Sequence, residues 1–277
     1  MKALVKGHSG LEFRDVDPPR PRGDELLIRV AAVSLNRGEL RLASMAREGV
    51  IPGWDIAGTA VESGERVVGI VTGGGWAEYA VVPRHAMATI PEGVSFEAAA
   101  TLPVAALTAH RALALSPILG RRVLITGATG GVGRFAIQLA TMAGAQVTAV
   151  KTADESVSGE FDLILESVGG RSLARAVECI APGGVVVTIG NSSEEDSPFN
   201  ARTLFRKSGA TIHGLLIFTE VEQRRVGARE LAHLLELIRA GSLDPGIVEA
   251  RSWREHEAVL ADLEARKIKG KAVLRID

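Results

Sequence analysis

Short stretches in which apolar and polar residues alternate fill the first third of the chain, and longer apolar runs joined by helically spaced segments fill the rest. Strands are predicted at 3–5, 11–16, 26–35, 56–61, 66–71 and 77–82, because β-branched and alternating residues bounded by turn formers fit a half-buried pleat. Pro18, Pro19, Pro21 and Gly23 punctuate two of these runs, and Gly73 to Gly75 precede another. A β-rich domain follows from this pattern. Residues 97–102 and 104–115 then show helical spacing. Beyond them, strand-like runs at 122–125, 147–150, 162–166, 185–189 and 211–217 are separated in several places by helical stretches, including 172–180 and 228–240. Ala181-Pro-Gly-Gly184 reads as a helix stop. The alternation predicts a parallel sheet with covering helices, and the tail adds a helix over 253–265 and a strand over 270–275.

At one place the pattern carries chemistry. Val123, Leu124 and Ile125 run into Gly127, Gly130 and Gly133, and Phe135, Ile137, Leu139 and Met142 follow at roughly helical spacing. Strand, tight turn and helix in that order let a backbone approach a pyrophosphate, whose charge is favoured by free N–H groups at the helix start. A dinucleotide is the implied guest. Lys151 and Thr152 end the next strand, where a cation accommodates a ribose 2′-phosphate and an acidic residue would bind the 2′-hydroxyl. NADPH is favoured, against the pull of Asp154 and Glu155 just beyond. Only Thr152 to Phe161 separates Val150 from the strand beginning at Asp162, whereas a crossover with its helix needs at least about 10 to 12 residues before any further strand is added. The helix there is predicted to be missing or vestigial, leaving the adenosine end of the site open.

Composition removes other classes. With 277 residues the chain holds one large or two medium domains, and a net charge of −1 gives no electrostatic case for nucleic acid or an anionic membrane. The lone Cys179 excludes an internal disulfide and a thiolate-rich zinc site, in keeping with a reducing cytosol. The first apolar run is too short for a signal peptide, and no stretch approaches membrane-span length. The six histidines are scattered without the pairing of a metal motif, no Gly-x-Ser-x-Gly elbow exists, and the carboxylates form no recognisable pair. A nicotinamide enzyme needs none of these, since the cofactor supplies the hydride chemistry and the protein orients the reactants.

The sequence Gly127-Ala-Thr-Gly-Gly-Val-Gly133 resembles the medium-chain dehydrogenase/reductase superfamily, in its zinc-independent quinone oxidoreductase branch. Ala31 to Asn36, Gly53-Trp-Asp-Ile-Ala-Gly58, Gly75 to Tyr79, Ala100 to Pro103, Leu107 to His110 and Gly270 to Leu274 occur in the family's order, so the resemblance spans nearly the whole chain. It implies a Rossmann-type doubly wound sheet over 107–244 inserted in a β-rich GroES-like domain, 1–106 with 245–277, and a substrate cleft between them. It also implies that Asn36 and Thr108 face the nicotinamide and substrate. Thr126, Gly127, Ala128, Gly130, Gly131, Val132 and Gly133 would hold the pyrophosphate. Ser167, Val168, Gly169, Gly190 and Asn191 would line strand ends, Leu216, Ile217 and Phe218 would cover the nicotinamide, and Lys271 would sit near the cofactor. Asn36, whose N–H₂ can bond a carbonyl oxygen as charge develops there, is expected to orient substrate or nicotinamide. Asn36 stands where zinc-dependent relatives place a ligand and Trp54 where they place a histidine, so no metal is expected. The implied protein is a cytoplasmic, homodimeric, NADPH-dependent reductase of quinones or α,β-unsaturated carbonyls. The rival is a nucleotide-binding sensor or structural protein without turnover.

Overall fold

A computed structural model describes residues 1–153 and 157–277. β1 (Lys2–Lys6) and β2 (Leu11–Asp15) form an antiparallel pair. β3 (Glu25–Ser34) follows, then α1 (Arg37–Met45), β4 (Asp55–Ala60), β5 (Arg66–Ile70), β6 (Tyr79–Pro83), β7 (Met87–Thr89) and α2 (Phe96–Ala100). A π-helical segment, Leu102–Ala106, leads into α3 (Leu107–Leu113). Next come β8 (Arg122–Ile125), α4 (Gly131–Met142), β9 (Gln146–Ala149), β10 (Phe161–Glu166), α5 (Gly170–Cys179), β11 (Ile180–Thr188), α6 (Ala201–Arg206) and β12 (Thr211–Gly214). The chain ends with α7 (Ile217–Arg224), α8 (Gly227–Arg239), β13 (Ile247–Ser252), α9 (His256–Glu264) and β14 (Lys271–Arg275).

The chain divides into two compact units, Met1–Leu107 with Phe218–Asp277, and Thr108–Ile217. In the first, β3 is the spine: Leu26, Ile28 and Val30 alternate into the core, and the strand pairs antiparallel with β4, β6 and β14. Pairing of Val273 with Ser34 and Leu274 with Val33 returns the C-terminal strand to the first sheet. The helix predicted at 228–240 forms as α8, but its buried stripe of Leu231, Leu234 and Leu235 packs on β7 and the π-helical segment. Residues 218–244 therefore lie with the β-rich unit. Helical spacing shows that a stripe is buried, not which sheet buries it.

The second unit is a five-stranded, all-parallel sheet in the order β12-β11-β10-β8-β9. That is the commonest dinucleotide-binding order with the strand beyond β9 left out, so β9 is an edge strand whose side chains are exposed or half-exposed. Between Val150 and Glu160 the described residues contain no helix or strand. Instead Ala153 and Val157, 0 % and 5 % exposed, pack with Leu124, Ile164, Ala176 and Ile180 on the α5 side of the sheet. The share of the missing-helix prediction that falls on Asp154 to Ser156, and the opposing effect of Asp154 and Glu155, lie outside the described residues. α5 ends at Cys179, directly before Ala181 to Gly184, and that helix stop also opens β11, where the pairing with β10 slips between Phe161 and Leu163. One local prediction is corrected. The predicted strand 211–217 stops at Gly214, and Ile217 opens α7. Among the described residues no helix is long and apolar enough to cross a membrane.

Candidate functional site

Where β3 ends, Asn36 becomes the N-cap of α1, with extended φ of −126° and ψ of 143°. Its backbone N–H donates to Glu39 Oε2 at 2.6 Å, a first-turn carboxylate reaching back to the cap. The side-chain amide is fully engaged. Nδ2 donates to Asp55 Oδ2 at 2.8 Å and to Glu39 Oε2 at 3.1 Å, while Oδ1 accepts from Lys271 Nζ at 2.8 Å. Lys271 also donates to the Leu35 carbonyl at 3.1 Å and lies 3.6 Å from Asp55 Oδ2. Trp54 N–H donates to Glu39 Oε1 at 2.7 Å, and Val104 N–H to Asp55 Oδ1 at 2.8 Å. Four strand and helix ends are thereby tied to one polar knot.

The knot is dry: Glu39, Asp55 and Lys271 are 1 %, 0 % and 2 % exposed. Burial, helped by the neighbouring Asp55 charge, raises the Glu39 carboxyl from its ordinary 4.5 to about 8. Burial also raises Asp55 against the attraction of Lys271, and lowers Lys271 against the attraction of both carboxylates. This corrects one expectation. Both hydrogens of the Asn36 amide are committed to carboxylates, so no side-chain donor remains there for a substrate carbonyl. Lys271 is turned inward as the counter-cation of Asp55, since an unpaired buried charge is costly. Beside the knot, the half-buried Trp54 and Phe218 meet edge to face, ring centroids 4.9 Å apart.

In the second unit the glycine turn forms as the sequence requires. Gly127 has φ +61°, and a Cβ at Gly133 would stand 2.8 Å from Ala128 Cα, so the third glycine permits the close packing of turn and helix. Several predicted pyrophosphate contacts point elsewhere. Thr126 is buried, its hydroxyl donating to Glu166 Oε1 at 3.0 Å, and its N–H donates to the Leu165 carbonyl. Gly127 and Ala128 donate to the Lys151 and Val150 carbonyls, and Gly130 donates to Gly127. Gly131, Val132 and Gly133, the first turn of α4, have no N–H partner among the described residues, and no side chain caps the helix.

Glu166, which the sequence pattern did not single out, organises the neighbouring strand end. Its buried carboxylate accepts from Thr126 Oγ1, Ser172 Oγ at 2.7 Å, Val168 N–H at 3.2 Å and Gly169 N–H at 2.8 Å. Ser167 N–H donates to Thr126 Oγ1, so the backbone donors of Ser167, Val168 and Gly169 all face inward rather than to a ligand. Its one signal was position, a carboxylate closing the apolar run Leu163 to Leu165. Gly190 and Asn191 are exposed after β11, and Lys151 is exposed after β9 with Thr152 half-buried. Thr108 is buried in the first turn of α3, in the second unit. Leu216 is exposed, Ile217 buried, and Phe218 belongs to the first unit.

A parallel nucleotide-type sheet opening on a glycine turn, inserted between the β3 and β14 halves of a β-rich unit, is the plan of a medium-chain dehydrogenase/reductase. Comparison with known proteins agrees. A zinc-binding dehydrogenase family model matches residues 143–274. A chloroplast quinone-oxidoreductase homolog of Spinacia oleracea is 38% identical over 169 residues, which are 52% of this chain and 51% of that protein. The chain thus spans about half the length of the curated plant relatives it matches. The quinone oxidoreductase of Coxiella burnetii superposes over 100% of this chain and 99% of its own, with TM-score 0.82 and 25% identity. A mycobacterial protein solved in complex with NADPH gives TM-score 0.88 at 22% identity, covering 100% of both chains. The family model matches just under half of the chain, which is thus similar to medium-chain dehydrogenase/reductases, quinone oxidoreductases among them.

The family model's name raises the question of zinc. The described residues include no group of three or more His, Cys, Asp or Glu side chains able to hold a metal, and in the knot Glu39 and Asp55 are already engaged by Asn36, with Asp55 paired to Lys271. The donor set does not fit the ion. A dinucleotide fits better, at the uncapped first turn of α4 and the glycine cradle before it.

Proposed function

We propose that the chain is a zinc-free reductase that uses NADPH to reduce a quinone or an α,β-unsaturated carbonyl compound. The observation that carries this reading is the set of uncommitted N–H groups at Gly131, Val132 and Gly133, at the carboxyl end of a parallel strand. These donors would hold the pyrophosphate, and exposed Lys151 would meet a 2′-phosphate. When bound, NADPH supplies the hydride. Asn36 is a positioning residue in this scheme: it ties the start of α1 to Asp55 and Lys271 and so fixes Trp54 through Glu39. Protonation of the reduced oxygen falls to water, because the titratable side chains of the knot are buried.

The test is direct. Purified chain mixed with NADPH and a panel of quinones and enones should consume the cofactor, followed by its absorbance, and elemental analysis should find no stoichiometric zinc. Tight NADPH binding without turnover on any acceptor would instead assign a sensing or structural use, and activity abolished by chelation and restored by zinc would refute the zinc-free reading.

A further inference from the structure

The saturated amide of Asn36 leaves open what the first unit offers an acceptor, and its neighbours answer that. Trp54 is anchored from two sides: its backbone N–H is bonded to Glu39, and its ring edge lies against Gly38, where a Cβ would stand 2.8 Å from the indole. Phe218 braces the ring from a further side, edge to face at an interplanar angle of 69°. Gly38, Leu42 and Met45 recur at i, i+4 and i+7, so the helix face that touches the indole continues into two apolar side chains that are 55 % and 72 % exposed. Exposed large apolar residues standing singly need no explanation, but a contiguous set beside a rigid, half-exposed aromatic pair does. The buried charges of Asp55 and Lys271 are paired within the knot, while exposed Arg41 stands beside Leu42 and Met45 on α1.

Resting on the reductase reading, we infer that Trp54 and Phe218, extended by Leu42 and Met45, form a platform selecting flat, fused-ring acceptors such as naphthoquinones over small acyclic enones. An occupant of that kind stacks on the indole and covers the exposed aliphatic side chains, whereas a four-carbon enone reaches neither. Trp54 is then the specificity-determining residue, and Gly38 holds the space its ring occupies.

The full chain without NADPH, titrated with 1,4-naphthoquinone, should show saturable quenching of tryptophan fluorescence after absorbance correction. Trp76 and Trp253 are 1 % exposed, so contact quenching belongs to Trp54 and should vanish in Trp54→Phe. In turnover, Trp54→Ala should lower kcat/KM about tenfold for 1,4-naphthoquinone, with 3-buten-2-one changed by less than about twofold and NADPH affinity unchanged. Leu42→Ser, at an exposed position that folding does not depend on, should move the same ratio in the same direction by about twofold to threefold. Equal losses for both acceptors, or quenching that fails to saturate or survives Trp54→Phe, would overturn the platform. Saturable, Trp54-dependent quenching with no turnover of any acceptor would instead sink the reductase reading and leave the platform standing.

Discussion

Each unit buries carboxylate beside its candidate site, and the two do so by different means. In the first unit Glu39 and Asp55 share an amide, Glu39 keeps its proton up to about pH 8, and Asp55 is balanced by one ammonium, Lys271. In the second, Glu166 has no cation among its hydrogen-bond partners and is held by two hydroxyls and two backbone N–H groups of the strand ends it joins. The first arrangement concentrates the compensation in one side chain. The second spreads it over many donors, each replaceable at modest cost. One is a keystone and the other a lacing, and they should fail differently.

The comparison breaks most visibly at Lys271. Lys271→Met keeps the stem but leaves Asp55 without its cation, and breaking a buried pair by removing one partner costs about 3 to 5 kcal/mol. Denaturant unfolding of the purified variant measures it. A loss below about 1 kcal/mol would mean that Asp55 is neutral in the folded state and that Lys271 is no keystone. Glu166→Gln is the matched probe of the lacing. The amide retains one acceptor oxygen and presents an N–H₂ to groups that themselves donate, at a cost of about 1 to 3 kcal/mol. If it equals or exceeds Lys271→Met in the same assay, the distinction between the units is wrong.

Proton linkage sharpens the contrast. Glu39 is raised from 4.5 to about 8, so across that window the folded chain holds a proton that the unfolded chain has lost. Stability supplied by this group therefore falls as pH rises from about 5 to about 8, by at most about 1.4 kcal/mol per pH unit. Glu39→Gln should flatten that fall, and the difference between the two unfolding profiles isolates the group from Asp55 and Lys271. A parent whose stability rises across the same window by as much as the variant's would contradict the assigned shift.

What could be read from the chain beforehand divides along physical lines. The strands around β3 and the glycine turn were legible because both are local: alternation sets a strand, and Gly127, Gly130 and Gly133 are required by the backbone within a few residues. The knot was not legible, because Lys271 reaches Asn36 across 235 residues and no periodicity records that pairing. Part of it had left a trace: Asn36 followed three residues later by Glu39 is a helix-start pattern, and it marks α1, which hydrophobic spacing missed. Residue type suggested a free amide at Asn36 and a ligand-facing Thr126. Geometry engages both, because a side chain's availability depends on neighbours brought in by the fold. The short segment after β9 was legible by length alone, since too few residues remained to cross over with a helix.

The smallest effect is expected at Lys151, where the two units differ least in kind, since its charge is on the surface. Its carbonyl accepts from Gly127 N–H, so the residue contributes backbone to the glycine turn whatever its side chain does. Lys151→Ala preserves that bond and removes the side chain with its ammonium. An exposed ion pair contributes about 0.2 to 1 kcal/mol, so the NADPH dissociation constant should weaken by about 1.5-fold to 5-fold at low salt, with NADH unchanged. The effect should shrink as salt is added, because exposed charges are screened by salt, with a Debye length of about 8 Å at 0.15 M. Isothermal titration with both cofactors at two salt concentrations measures all four constants. Parallel weakening of NADPH and NADH would trace the loss to the turn and not to the 2′-phosphate, and would remove the case for NADPH preference at this residue.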